Sequence, residues 1–77
     1  MTTQQVTYQG PSSFAVRAAA LIADTAGVEL RSATPLDGAS PAEGSVVLVL
    51  TLEASAEALS AALGAVRAEL PPGATVG

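Results

Sequence analysis

Residues Ser45 to Leu52 contain an apolar run, Val46-Val47-Leu48-Val49-Leu50, which Thr51 and Leu52 continue. It is far too short to span a bilayer, which takes about 20 apolar residues in a helix. Its β-branched content favours extended backbone. In a strand, successive side chains point to opposite faces. Val46, Leu48, Leu50 and Leu52 then share one face, and Val47 and Val49 the other. A strand apolar on both faces belongs in the middle of a sheet, with both faces covered or one awaiting a partner. Any fold for this chain must give the segment such a place.

The remaining elements fall around it. Val6 to Gln9 reads as a first strand, with Val6 and Tyr8 on one face and Gln5, Thr7 and Gln9 on the other. Gly10-Pro11-Ser12-Ser13 is a turn, and Ser12 or Ser13 is the expected N-cap of a helix from Phe14 to Ala26. Phe14, Ala18, Leu21, Ile22 and Thr25 form its apolar stripe, and Gly27 stands where a left-handed cap is wanted. Val28 to Thr34 reads as a strand, with Val28, Leu30 and Ser32 alternating with Glu29, Arg31 and Ala33. Pro35 to Gly44 is a loop rich in Pro, Gly, Ser and Ala, expected to be mobile. A second helix is predicted from Ala56 to Glu69, capped by Ser55, with Glu57 in its first turn and a stripe of Leu59, Leu63, Val66 and Leu70. Gly64 inside it is either a tolerated glycine or a point of close packing. Pro71-Pro72-Gly73 ends that helix, and Ala74 to Val76 is a short last strand.

The order is β-α-β-β-α-β in one domain, residues 1–77. It suits an α+β (α/β plait) architecture: a ferredoxin-like two-layer sandwich with a four-stranded antiparallel sheet and two helices on one face. Right-handed crossovers put both helices on the same side. Strands one and three become central, with Val6, Tyr8, Val46, Leu48 and Leu50 facing the helices. Gln5, Thr7, Gln9, Glu29, Arg31, Val47, Val49 and Thr51 face the other way.

Composition narrows the chemistry. The chain has 77 residues, no Cys and no His, so neither disulfides nor zinc or haem sites are expected to support its small core. Association between copies is the remaining support, and a homodimer is expected. Seven acids against three arginines give a net charge of −4, and Arg17, Arg31 and Arg67 lie far apart. Nucleic-acid and anionic-membrane partners, which need clustered cations, are not expected. The first ten residues are mostly polar and hold no apolar signal-peptide core, which points to the cytoplasm.

Lys is missing along with His and Cys, as are Asn and Trp, and no acids pair closely in sequence except at helix spacing or in loops, so the usual requirement of a small enzyme for His, Cys, Lys or a paired carboxylate is not met. No catalytic residue, metal ligand set or cofactor is expected. Glu53 and Glu57 flank a helix start, where dipole complementarity accounts for them. Asp37 and Glu43 read as solvated loop charges, with a weak divalent-cation site as the alternative. Tyr8 and Phe14 read as core aromatics. Two places invite binding. The junction Gln9, Gly10, Pro11, Ser12 and Ser13 runs from a central strand into a helix N-terminus, where free amides suit an anion. Thr7, Val47, Val49 and Thr51 would form a partly apolar patch on the uncovered sheet face, a candidate interface.

Val6 to Gly10, an Ala-rich helix, and then Ala26-Gly27-Val28-Glu29-Leu30 resemble the opening of an ACT domain, with Gly10 and Gly27 at matching positions. The family's Asp-x-Pro-Gly reads Gly10-Pro11-Ser12-Ser13 here. The resemblance implies the same plait and a regulatory module that binds small effectors at subunit interfaces. Gln9-Gly10 followed by Phe14 and Arg17 is also similar to the phosphate loop of acylphosphatases. There the arginine directly follows the phenylalanine and an asparagine positions water; Arg17 is displaced and Asn is missing, so that activity is not expected. The leading expectation is a non-enzymatic, homodimeric interaction or regulatory module, with a separate protein partner also considered. The alternatives are a small-molecule effector-binding domain and a small plait-type enzyme using Tyr8 or a loop carboxylate.

Overall fold

The valine-rich segment does become a central strand. The computed structural model describes residues 2–36, 38 and 42–77. In it, β1 (Thr2–Pro11) and β3 (Ser45–Ala54) pair antiparallel over ten positions, from Thr2 opposite Ala54 to Pro11 opposite Ser45. β2 (Glu29–Pro35) lies beyond β3, and β4 (Thr75–Val76) beyond β1, giving the order β2-β3-β1-β4 with every neighbour antiparallel. With α1 (Ser12–Ala23) and α2 (Ala56–Glu69), this is the ferredoxin-like α+β plait expected from the element order.

Both helices contribute to one core on one side of the sheet. Val6, Tyr8, Leu50 and Leu52 rise from β1 and β3 to meet Ala15, Ala18 and Ile22 of α1 and Ala62 and Val66 of α2. Large side chains come mainly from the sheet, while the helices approach through alanines. Ala18 and Ala62 are almost wholly buried, so the helix backbones come close to the strands. The deepest line of α2 runs through Ala62 and Val66; Leu59, Leu63 and Leu70 of the expected stripe flank it, half-buried. A small residue at the point of closest approach lets the leucines splay to either side. Gly64 has nothing within 4 Å of where a Cβ would sit, so it is a tolerated glycine and not a packing contact.

Four local expectations are corrected. Neither Ser12 nor Ser13 caps α1. β1 continues through Pro11, so the helix follows the strand with no linker, and Pro11 occupies the N-cap without a side-chain hydrogen bond. The Ser12 amide donates to the Gly44 carbonyl at 2.9 Å. Next, α1 stops at Ala23 and not at Ala26. There the Thr25 hydroxyl donates to the Leu21 carbonyl (2.9 Å) and the Thr25 amide to Ile22, closing the last turn before Gly27 at φ +83°.

In β2, the alternation of Val28, Leu30 and Ser32 breaks. A bulge between Leu30 and Ser32 sets Ser32 opposite Thr51 and Ala33 opposite Leu50, so Ser32 joins the uncovered face and Ala33 leaves it. Finally, β1 and β3 are longer than Val6–Gln9 and Ser45–Leu52, because the polar residues Thr2 to Gln5 extend the ladder beside Thr51 to Ala54. Ser55 caps α2 as expected, its hydroxyl accepting from the Ala58 amide at 3.2 Å. Asp37 and most of the central part of the Pro35–Gly44 loop lie outside the described residues.

Candidate functional site

The face of the sheet away from the helices is uncovered among the described residues. β1 contributes Thr3, Gln5, Thr7 and Gln9, all exposed; β3 contributes Val47, Val49, Thr51 and Glu53, all partly exposed. Register decides who meets whom. Thr7 lies opposite Val49, which has Thr34 on its other side. Gln5 lies opposite Thr51, which has Ser32 on its other side, and Gln9 lies opposite Val47. The four candidate interface residues, Thr7, Val47, Val49 and Thr51, are thus brought together at the middle of the face. They form a neutral surface of methyl and hydroxyl groups.

Charge is confined to one end of this face. Glu29 and Glu53 sit directly opposite one another, an unfavourable like-charge pair. Arg31, at the bulge, resolves it. Its Nε donates to Glu53 Oε2 at 2.8 Å, a second nitrogen also binds Glu53, and Nη1 lies 3.3 Å from Glu29 Oε1. The hydrogen bond to Glu53, with the charge of Glu29 behind it, holds the Arg31 pKa above its ordinary value. Arg31 and Glu29 are largely solvated and Glu53 is partly exposed, so the cluster adds little stability and serves mainly to neutralise the end of the sheet.

The strand-to-helix junction is divided by the same geometry. Gln9 points to the uncovered face. Gly10 is buried on the helix side, where a Cβ would come 2.6 Å from Ala74 Cβ and 2.8 Å from the Tyr8 hydroxyl. That hydroxyl donates to the Pro11 carbonyl at 2.9 Å. Ser12 and Ser13 are exposed at the start of α1. The Pro11 carbonyl and Ser12 amide are therefore engaged within the chain, and Pro11 has no amide proton to offer. Tyr8 itself is fully buried with its ring centroid 6.1 Å from that of Phe14, and burial raises its pKa.

Arg17, which the sequence placed off the α1 stripe, bridges to Glu69 of α2 through two hydrogen bonds of 3.1 and 3.2 Å. Sequence reading missed one surface altogether. Starting β1 at Val6 left Thr2 to Gln5 outside the sheet, and with them the outer edge of that strand. The signal was faint: a β-compatible stretch without Gly or Pro, but with no apolar alternation. No helix is long and apolar enough to cross a membrane among the described residues. Comparison with family models, curated proteins and solved structures gave no match.

Proposed function

We propose that the chain is a non-enzymatic interaction module that associates with a second copy of itself through the uncovered face of its sheet. The observation carrying this reading is the neutral cluster of Thr7, Val47, Val49 and Thr51 at the centre of an otherwise uncovered four-stranded sheet. Two copies related by a two-fold axis through this cluster would set valine against valine.

Charge favours that arrangement. The chain carries −4, yet among the described residues the charges on this face are Arg31, Glu29 and Glu53, gathered at one end. Glu53 lies four residues along β3 from Val49. At about 3.3 Å per residue, a two-fold over Val49 that runs perpendicular to β3 sets the two charged ends roughly 26 Å apart, whereas one along β3 would set them together. The first separation is about three Debye lengths at physiological salt, so the copies meet without appreciable repulsion.

The test is sedimentation of the wild-type chain and of Val49→Glu at micromolar concentration, with circular dichroism to confirm folding. Val49 is partly exposed, so the strand accommodates the substitution in a single copy. In the assembly, two buried carboxylates would face each other without partners, which strongly opposes association. The wild-type chain is expected to sediment as an assembly of at least twice the 7.5 kDa chain mass, and Val49→Glu to halve that mass. A wild-type chain that stays at single mass, or an assembly indifferent to Val49→Glu, overturns the reading.

A further inference from the structure

Two large apolar side chains stand exposed among the described residues: Val16 on α1, and Leu36 just past β2. The sequence places Leu36 in a loop, but the structure fastens it to the sheet. Its amide donates to the Val47 carbonyl at 2.9 Å, so the β2–β3 ladder runs one residue beyond Pro35. Thr34 lies opposite Val49 and Pro35 opposite Leu48, and the same register sets Leu36 opposite Val47. Residues directly opposite one another share a face of the sheet. Leu36 therefore stands on the uncovered face, beside Val47.

This placement gives the face a relief as well as a polarity. Across β2 and β3 its rows run Leu36–Val47, Thr34–Val49 and Ser32–Thr51, and then reach the charged end at Glu29–Glu53. Leu36 projects two residues to one side of Thr34. The small Ser32 leaves a shallow place two residues to the other side.

We infer that Leu36 anchors the contact between two copies by seating over Ser32 and Thr51 of the second copy. The inference rests on the face contact proposed above, with its two-fold over Val49 and perpendicular to β3. That axis lays β2 of each copy over β2 of the other, running in opposite directions. Thr34 then meets its own counterpart, and Leu36 of each copy comes over the row of Ser32 and Thr51 in the other. The pairing occurs twice, once on each side of the axis. Large over small is the arrangement by which packed sheets interdigitate. A two-fold along β3 would instead lay β2 over β1, setting Leu36 over the polar Gln9 and the two charged ends over each other. Val16 lies in the helix layer and takes no part.

The test is sedimentation over a concentration series for the wild-type chain, Val49→Glu, Leu36→Ser, Val16→Ser, and Leu36→Ser combined with Ser32→Leu. Circular dichroism confirms that each is folded. Leu36 is 45% exposed in the single chain, so seating it removes nearly half a leucine's surface from water in each copy. Leu36→Ser forfeits this twice per assembly, and the dissociation constant should rise roughly thirtyfold. Val16→Ser, on the opposite layer, should leave it unchanged. Adding Ser32→Leu to Leu36→Ser exchanges large and small across the axis and should restore most of the lost affinity. An assembly that Val49→Glu dissociates but Leu36→Ser leaves intact overturns the inference while the face contact stands. So does an exchange that restores nothing. A wild-type chain of single mass overturns both.

Discussion

Replacing Gly10 by alanine sets two physical effects of opposite sign against each other. Gly10 is not among the glycines with positive φ. On backbone grounds alone, alanine is therefore tolerated and should stabilise by about 0.4–1 kcal/mol, by restricting the unfolded chain. Packing says otherwise. The new methyl would lie 2.6 Å from Ala74 Cβ, 2.8 Å from the Tyr8 hydroxyl and 3.2 Å from Ala74 Cα. Comfortable carbon–carbon contact begins near 3.5 Å. Relief requires either Tyr8 to give up its bond to Pro11 or the Ala74–Val76 segment to lift from β1. Overpacking of this kind costs about 1–3 kcal/mol, and a displaced hydrogen bond adds about 1 kcal/mol. After the backbone gain, the net loss should be about 2 kcal/mol. A domain of this size has roughly 3–5 kcal/mol to lose.

The measurement is urea unfolding followed by far-ultraviolet circular dichroism, run as a cycle with Ala74→Gly. Ala74→Gly removes the nearest clashing atom, so Gly10→Ala should cost at least about 1 kcal/mol less in that background than in the wild-type chain, a coupling well beyond the additivity error of about 0.5 kcal/mol. If Gly10→Ala stabilises the protein, or if the two changes simply add, Ala74 does not press on Gly10 as described.

Two further outcomes follow from the core and from α2. Burial raises the Tyr8 pKa above its ordinary 10.0, so the folded state holds this proton more tightly than the unfolded one. Its contribution to stability is complete below pH 10.0 and is lost as pH climbs through the folded-state value. Tyr8→Phe should remove this alkaline decline. Since Tyr8 is the sole tyrosine, phenolate absorbance that rose near pH 10.0 with the helical signal intact would contradict it. Gly64→Ala meets no neighbour within 4 Å on an exposed turn of α2, and should raise stability by about 0.5–1 kcal/mol. Urea midpoints would show this, and a loss of stability would mean that something does pack there.

What could be read from the sequence was whatever depended on local periodicity. The bounds of α2 were legible, because Ser55 caps it, Pro71 stops it and 3.6-residue spacing fills it between, but its deepest line through Ala62 was not. The central place of β3 was legible because no other position tolerates valines on both faces. The bulge in β2 was not, since nothing local distinguishes Arg31 from any alternating residue. Only pairing with Thr51 reveals the extra position. The cap of α1 was misread because Ser12 and Ser13 have favourable side chains, yet tertiary structure supplies Gly44 instead. The first residues of β1 were invisible for a related reason. Thr2 to Gln5 are polar on both faces, and they become a strand only through β3.

The candidate interface was legible for a reason that also explains why it exists. The helix-side core takes up the large buried residues Tyr8, Ile22, Leu50, Leu52, Val6 and Val66, and alanines complete it. Little remains for the other face: Val47 and Val49, with threonines around them. That is too little to hold a further layer of the chain's own, and more than a merely solvated face of a central strand requires. A one-sided core leaves a face without cover from within the described residues. In a chain without disulfide or histidine, contact with another copy is the remaining source of burial. On the reading proposed above, the shortage of large apolar residues that limits the single chain is thus the same property that would direct it toward association.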